Sequence, residues 1–314
     1  MTAPLFLMGL PKSGTTLLQR VLASHPKISS ASEPWLLLPA LHALKGSGSA
    51  SEYGSRSCFQ ALNRTIDALP NNRSDYYKAV ATMAQSIYDD LSETGAEYFL
   101  DKTPRYHLIA DALVDTFPQS KFIFIWRNPL SVMASTILHN NDKARGLRFA
   151  EFDLTSGYQN LSLAHKRLGN RALCLNYEAF VAAPDQELAK IMRFLGLNPD
   201  AAQTANFSKV FYPGGDKNGI DRTGIDTSSL DRWKTVLNAP ARRRLAQRIL
   251  AKIDSETLSH CGYRKADLSV ELRALKTRRS PALYGEFVEL AMAELYVRLQ
   301  GQAVRSGDPS ALLY

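Results

Sequence analysis

The segment GLPKSGTT at residues 9–16 constrains the fold and the ligand chemistry of this chain more than any other part of its sequence. It follows a short apolar run, Leu5 to Met8, and it opens an amphipathic stretch from about Thr15 to Ser24. A glycine turn between a strand and a helix directs backbone N–H groups and the positive end of the helix dipole toward an anion. Lys12 adds a positive charge to this turn. Hydroxyl donors are supplied by Ser13, Thr15 and Thr16. A plain connection without a ligand is the alternative, but the coincidence of a lysine, glycines and hydroxyls favours an anion site.

The turn differs from the loop that binds ATP and GTP. The pattern G-x-x-x-x-G-K-[ST] requires a lysine after the second glycine, and Thr15 occupies that position here. The usual contact to the β- and γ-phosphates is therefore missing. We also find no apolar strand ending in an aspartate placed to hold Mg²⁺, which nucleotide kinases require. The sequence predicts a phosphate-bearing nucleotide that needs neither a γ-phosphate nor a metal.

Short apolar runs alternate with amphipathic stretches along the chain, which predicts an α/β fold with a P-loop-type parallel sheet flanked by helices. The best-defined strand is KFIFIW at 121–126, whose unbroken apolar character is typical of a parallel strand covered on both faces. Other predicted strands are Leu5 to Met8, Ile28 to Ala31, Tyr98 to Leu100 and Ala172 to Leu175. Predicted helices include Thr15 to Ser24, a helix from Ser74 or Asp75 to Gly95, Tyr106 to Thr116, Pro184 to Leu197, one from Pro240, and Ser280 to about Gln302. We expect one domain over residues 1–265 and a helical C-terminal extension over 266–314.

Composition excludes several classes of protein. With 45% hydrophobic and 22% charged residues, the 314-residue chain is typical of globular proteins. No apolar run reaches the roughly 20 residues that a membrane helix needs, and no basic segment precedes the first apolar run as in a secretion signal. The three cysteines form no C-x-x-C pair and the histidines lack metal-ligand spacing. We therefore expect a cytoplasmic protein without a metal and without a membrane partner.

A basic segment from Arg242 to Arg279 holds eleven basic residues against four acidic ones, and the whole chain carries a formal charge of +8. Such a segment could bind a polyanion. Its one aromatic residue is Tyr263, so the basic residues are not interleaved with a series of aromatic ones as in nucleic-acid sites. A solvated helix face is the favoured interpretation, and we predict no nucleic-acid partner.

PKSGTT follows the first predicted strand, and RNPLS at 127–131 follows the strand KFIFIW. Together these two motifs resemble the sulfotransferases that use 3′-phosphoadenosine 5′-phosphosulfate (PAPS). The resemblance implies that the first motif holds the 5′-phosphosulfate and that the second holds the 3′-phosphate. The implied residues are Lys12, Ser13, Gly14, Thr15 and Thr16 for the 5′ end, and Arg127 and Ser131 for the 3′ end. An arginine past a strand end and a serine one helical turn later can both donate to one dianion.

Two weaker motifs extend the resemblance to about residue 233. LNYE at 175–178 is similar to the family's tyrosine-containing segment near the nucleotide, which implies a place there for Tyr177. SLDRW at 229–233 resembles the late serine-tryptophan segment, and it makes Ser229 a further candidate. The cytosolic branch carries Arg-Lys-Gly shortly before this tryptophan, whereas here RTG at 222–224 lies farther upstream, with Arg222 as its basic residue.

Glu33 is the candidate general base. It follows the second predicted strand and should lie at the same sheet edge as the phosphate loop. The resemblance to the protein-tyrosine and glycan-modifying branches also points to a glutamate there. The same branches have a lysine segment similar to DKTP at 101–104, which implies that Lys102 steadies the sulfuryl group or the acceptor. Lys12 is expected to protonate or electrostatically stabilise the departing bridging oxygen. His107 is the competing base, but we favour for it a local capping or surface role.

The expected reaction is transfer of a sulfuryl group from PAPS to an alcohol or phenol by in-line displacement, without a metal. A P-loop kinase acting on a small molecule is the alternative enzyme, and a polyanion-binding module is the alternative outside enzymes. Acceptor loops are expected in the segments 34–57, 139–152 and 206–226, and KGSGSASEYGSRS at 45–57 is predicted to be a mobile loop. The last helix could pair with its copy in a homodimer.

Overall fold

The computed structural model of the protein contains a five-stranded sheet in which every neighbouring pair of strands is parallel. The structure describes residues 1–46, 55–200, 203–210, 224–225, 227–276 and 285–296. The strands are β1 (Ala3–Met8), β2 (Ile28–Ser30), β3 (Tyr98–Asp101), β4 (Lys121–Trp126) and β5 (Ala172–Asn176). Their order in the sheet is β2-β3-β1-β4-β5. The predicted parallel α/β fold is confirmed.

Helices cover both faces of this sheet, and alternate residues of the central strands pack against different sides. Phe6 of β1 and Phe122 of β4 belong to one apolar cluster, whereas Leu5 and Ile123 belong to the other. Successive side chains of a strand point to opposite faces, so a strand covered on both sides must be apolar throughout. This requirement explains why β4 has no polar residue after Lys121.

The helices have the following bounds. They span Thr15–Ala23, Leu37–His42, Ser55–Asp67, Arg73–Leu91, Ala110–Thr116, Pro129–His139, Ala144–Phe149, Glu151–Leu168, Tyr177–Ala182, Pro184–Leu195, Gln203–Asn206, Arg232–Val236, Pro240–Lys252, Ser255–His260 and Lys265–Ala274. Residues 285–296 are also helical. Short 3₁₀ helices span Pro104–Leu108, Gly169–Arg171 and Phe207–Lys209.

The strand order brings the ends of five strands to one edge of the sheet. β1 lies between β3 and β4, so the loop after β1 has the end of β3 on one side and the end of β4 on the other. β2 lies beyond β3 and β5 lies beyond β4. The carboxyl ends of strands in an open parallel sheet form the usual ligand edge of such folds.

Several sequence-based boundaries are wrong. The predicted helix Tyr106 to Thr116 is two helices, because a 3₁₀ helix ends at Leu108 and the α-helix starts at Ala110. The predicted acceptor loop 34–57 contains the helix Leu37–His42, and the predicted mobile loop 45–57 ends in a helix that starts at Ser55. Residues 47–54 of that loop lie outside the described residues.

The segment 139–152 is also not a loop throughout. It contains the helix Ala144–Phe149 and the start of the long helix Glu151–Leu168, which the sequence analysis did not predict. This helix buries polar positions such as Glu151 and Asp153, 5% exposed each, and Gly157. Its apolar periodicity is therefore obscured, because a helical pattern is recognised only where the buried face is apolar.

The basic segment is only partly a solvated face. Arg242 is 8% exposed and forms ion pairs with Asp142 and Glu286. Lys252 pairs with Glu151, which is 5% exposed. The expectation of a solvated face is therefore wrong for Arg242, whereas the Lys252 side chain is 55% exposed and agrees with it.

The C-terminal extension is helical at 265–274 and 285–296, while the predicted start at Ser280 and end near Gln302 lie outside the described residues. Leu290 packs against the main core, whereas Leu295 is 59% exposed. Within the described ranges, no helix has the length and apolar character to cross a membrane.

Candidate active site

The loop after β1 adopts the backbone conformation that an anion-binding turn needs. Lys12 has φ 67° and Gly14 has φ 99°, so two residues lie in the left-handed region before the helix begins at Thr15. The N–H and the hydroxyl of Ser13 both donate to the carbonyl of Leu10, at 3.1 and 2.7 Å. The Ser13 hydroxyl therefore closes the loop, although the sequence analysis expected it to face the ligand. The first amides of a helix have no intrahelical acceptor and remain available for an anion.

Arg127 joins this loop to the end of β4. Its Nη1 donates to the carbonyl of Lys12 at 2.8 Å, and its own carbonyl accepts a hydrogen bond of 2.6 Å from the hydroxyl of Tyr158. Only 7% of Arg127 is exposed. The two segments predicted to hold the two ends of one nucleotide are thus in direct contact.

A small cleft opens beside Arg127 at the start of the helix Pro129–His139. Its polar lining includes Ser131 and Ser229, both 4% exposed, and Arg232. Trp233 forms an apolar wall. The predicted 3′-phosphate residues therefore lie together, and Arg232 adds a second guanidinium that the sequence analysis did not assign to the site. Arg222, the upstream candidate, lies outside the described residues.

Tyr177 packs between the loop and Arg127. Its ring lies 4.2 Å from the Arg127 guanidinium carbon, and its hydroxyl is 3.0 Å from Oγ of Ser229. A Cβ placed on Gly14 would lie only 2.3 Å from Cδ2 of this ring. Gly14 is thus required by its φ and by the close approach of Tyr177, which is itself 1% exposed.

Glu33 and Lys102 form an ion pair on the other side of the loop. The Nζ of Lys102 lies 2.7 Å from Oε1 of Glu33 and 3.4 Å from Oγ1 of Thr16. The Lys102 side chain is 2% exposed, while the Glu33 side chain is 24% exposed. A buried ammonium therefore bridges the phosphate loop and a carboxylate that solvent can reach.

Asp101, the last residue of β3, is the centre of a buried hydrogen-bond network. Its carboxylate accepts from the hydroxyls of Tyr88, Tyr106 and Thr103. Burial raises the pKa of Asp101 from 3.8 to about 6, and the hydrogen bonds oppose that rise. The sequence analysis missed this residue as a site component. Its position at a strand end, directly before Lys102, was the available signal.

The same network supports the segment that carries Glu33. Thr103 Oγ1 accepts from the N–H of Trp35 at 3.3 Å, and the hydroxyl of Tyr106 accepts from the N–H of Leu37 at 3.4 Å. On the other side, the amide of Gln19 donates to the carbonyl of Ala31 at 2.7 Å. The backbone around Glu33 is therefore held from β3 and from the helix Thr15–Ala23.

Comparison with known proteins agrees with this arrangement. The sequence model described as "Sulfotransferase family" matches residues 4–201, which include β1 to β5. The chain belongs to the sulfotransferase family. The match contains the phosphate loop, the Glu33–Lys102 pair and Arg127, whereas the Ser229 segment lies beyond it.

Relatives of this chain include a bacterial and an animal protein. The chain is 26% identical over 287 residues to the nodulation protein NoeE of Sinorhizobium fredii, and the aligned region covers 83% of this chain and 66% of the relative. It is 25% identical over 226 residues to protein-tyrosine sulfotransferase 2 of Gallus gallus, covering 67% of this chain and 56% of the relative. The chain thus spans between half and two thirds of the length of these relatives.

Solved structures share the fold of this chain. The sulfotransferase domain of the Synechococcus PCC 7002 olefin synthase superposes with a TM-score of 0.56 at 23% identity, covering 79% of this chain and 94% of that one. The sulfotransferase domain from the curacin biosynthetic pathway gives a TM-score of 0.55 at 21% identity, covering 80% and 97%. Both similarities concern the fold.

His107 lies away from the solvent. It belongs to the 3₁₀ helix Pro104–Leu108, its side chain is 0% exposed, and its Nε2 lies 3.0 Å from Oδ1 of Asp153. Asp153 also pairs with Arg105. The expected surface role is wrong, because the helix Glu151–Leu168, absent from the sequence-based prediction, covers this histidine.

Proposed function

We propose that the protein transfers a sulfuryl group from PAPS to a hydroxyl acceptor, releasing adenosine 3′,5′-bisphosphate and the sulfate ester. The observation that carries the proposal is the 2.8 Å hydrogen bond from Arg127 to the Lys12 carbonyl, because it makes the phosphate loop and the Arg127 cleft two ends of one site. A single nucleotide with an anion at each end suits this arrangement. PAPS supplies the activated sulfuryl group when bound.

The residues of the two ends match the charges of such a nucleotide. The loop amides, Lys12 and Thr16 would hold the 5′-phosphosulfate, since N–H groups at a helix start and a lysine stabilise anions. Arg127 and Ser131, with Ser229 beside them, would hold the 3′-phosphate through charge-assisted hydrogen bonds. Thr15 in place of the kinase lysine agrees with a donor that has no γ-phosphate.

Glu33 is placed to act as the general base. Its carboxylate is the solvent-reachable member of the ion pair, so an acceptor hydroxyl can approach it from outside while Lys102 remains behind it. With PAPS bound as the source of the sulfuryl group, Glu33 would accept the proton of the attacking hydroxyl, and adenosine 3′,5′-bisphosphate would leave with the bridging oxygen. Lys102 would stabilise the negative charge on the sulfuryl oxygens, and Lys12 would stabilise the departing phosphate.

The acceptor class follows from the family and from one relative. The name of the Gallus gallus protein makes a tyrosine, and thus a phenolic hydroxyl, the acceptor in a related chain. We propose a hydroxyl-bearing acceptor for this chain as well. The buried His107 does not face the solvent side of the pair, which favours Glu33 over it as the base.

Ligand-dependent thermal stability tests the nucleotide assignment. Adenosine 3′,5′-bisphosphate should raise the Tm without Mg²⁺, because a ligand at a hundred times its Kd stabilises by about 2.7 kcal/mol. ATP with Mg²⁺ and heparin should have little effect. Stabilisation by ATP with Mg²⁺ alone would support the kinase alternative, and stabilisation by heparin alone would support the polyanion-binding alternative.

Transfer of labelled sulfate from PAPS to a panel of alcohols and phenols tests the reaction itself. Glu33→Gln should lower kcat by at least about a hundredfold, within the range for general-base catalysis, while adenosine bisphosphate affinity stays nearly unchanged. His107→Gln is the matched comparison. Near-normal turnover of Glu33→Gln, with turnover lost in His107→Gln, would transfer the role of base to the histidine.

A further inference from the structure

Trp35 is exposed next to the proposed base, unlike the other tryptophans. Its exposed fraction is 44%, whereas Trp126 and Trp233 are each 2% exposed. It lies two residues after Glu33, so their Cα atoms are at most about 7 Å apart. A large aromatic side chain at a substrate-facing edge offers a flat apolar surface that solvent otherwise covers.

The backbone at Trp35 is strained. Its φ of 54° lies in the left-handed region, which bulky side chains rarely adopt. Residues held in such conformations persist only where their surroundings fix them, and they concentrate at ligand sites. Trp35 follows Pro34, whose ring restricts the chain on that side.

The surroundings that fix Trp35 are those of the catalytic pair. Its N–H donates to Oγ1 of Thr103, which is 1% exposed and in turn donates to the buried carboxylate of Asp101. Thr103 directly follows Lys102, the partner of Glu33. One buried network therefore holds the Trp35 backbone at the residue that follows Lys102, while the Trp35 side chain stays exposed two residues after the base.

We infer that Trp35 is the platform on which the acceptor binds, and that the acceptor carries its reactive hydroxyl on a six-membered ring, either a phenol or a pyranose. This inference rests on the proposed sulfuryl transfer. A ring stacked on the indole directs its hydroxyl along the protein surface toward the Glu33 carboxylate, which is the exposed member of its pair. Phenols and pyranoses share the flat face that stacks on tryptophan, and an open-chain alcohol lacks it.

Fluorescence of the full chain measures ring binding independently of turnover. Acrylamide should quench mainly Trp35, because Trp126 and Trp233 are buried, and Trp35→Phe should lose this quenchable component. The ring probes are a phenol, 4-methylphenol, and a pyranose, chitotriose. The comparison without a ring is 1-hexanol, and each compound is added with adenosine 3′,5′-bisphosphate present. We expect at least one ring probe to protect half or more of the quenchable fluorescence and 1-hexanol to protect none.

Steady-state kinetics with PAPS and the ring probe that protects Trp35 from quenching then test the role of the indole. Trp35→Asn removes the indole and introduces asparagine, which tolerates the left-handed backbone. This variant should raise the KM for the ring probe at least tenfold, while kcat changes less than threefold. Trp35→Phe, which keeps a flat ring, should hold KM within threefold. Tyr296→Ala is the matched control, because Tyr296 is also 44% exposed but belongs to the helix 285–296, and its KM should equal that of the wild type.

The results that contradict the Trp35 platform differ from those that contradict the proposed function. Protection by neither ring probe, equal protection by 1-hexanol, or an unchanged KM in Trp35→Asn would refute the platform. Failure of adenosine 3′,5′-bisphosphate to bind the wild-type protein would instead refute the proposed function. In that case a ring probe added without the nucleotide could still protect Trp35 from quenching, so the two failures are distinguishable.

Discussion

The Glu33–Lys102 pair joins two side chains of unequal burial, so removing one partner should not be equivalent to removing the other. Lys102 is 2% exposed in its side chain and Glu33 is 24% exposed. Glu33→Ala leaves a buried ammonium without its carboxylate, a change that costs about 3–5 kcal/mol in buried pairs. We expect a loss near the lower end, about 3 kcal/mol, because Thr16 Oγ1 remains 3.4 Å from the ammonium.

Lys102→Met should behave differently. Methionine fills a volume similar to that of the lysine stem and removes the buried charge, while the remaining carboxylate can be solvated. We expect a change in the free energy of unfolding within about 1 kcal/mol. The double variant Glu33→Ala/Lys102→Met should recover most of the loss of Glu33→Ala, since it no longer contains the buried ammonium that has lost this carboxylate.

Urea unfolding of the four proteins measures this asymmetry. With a slope of about 3 kcal/mol/M, a loss of 3 kcal/mol lowers the midpoint by about 1 M. The exposed pair Lys27–Glu97, at 3.4 Å with side chains 46% and 53% exposed, is the matched control, and either single alanine variant there should change stability by less than about 1 kcal/mol. The reasoning fails if Lys102→Met is as destabilising as Glu33→Ala or if the double variant shows no recovery.

Three further predictions concern other parts of the site. Arg127→Ala should weaken adenosine 3′,5′-bisphosphate binding by about 1.5–3 kcal/mol in calorimetry, the range for hydrogen bonds to charged groups, and an unchanged affinity would place the 3′-phosphate elsewhere. Gly14→Ala should lower stability by at least about 1 kcal/mol in thermal unfolding, because its φ of 99° and the ring of Tyr177 both exclude a Cβ, and an unchanged Tm would contradict this. The pKa of Asp101, raised by burial from 3.8 to about 6, means that the folded protein holds this proton more tightly than the unfolded chain. Its contribution of about 3 kcal/mol should therefore be present below pH 4 and lost as the pH rises through 6, and urea unfolding of Asp101→Asn should lack this loss if the assignment is correct.

The strands and the phosphate loop could be predicted from the sequence because their determinants are local. The strand Lys121–Trp126 has the predicted bounds, since a run covered on both faces must be apolar at each position. The helix after the loop begins at the predicted Thr15, since the turn residues before it are read directly from the chain. The long helix Glu151–Leu168 could not be recognised, because its buried face includes Asp153 and Gly157.

The neighbours of each site residue were decided by the order of the strands. Position after a strand placed Glu33, Lys102 and Arg127 at the ligand edge, but it did not specify which of them meet. The order β2-β3-β1-β4-β5 puts the end of β3 between Glu33 and the phosphate loop, and so allows Lys102 to contact both. It also buries Asp101 beneath the same segment. Contacts in the site join residues separated by up to 115 positions in the chain, and only the packing of the whole sheet brings them within hydrogen-bond distance.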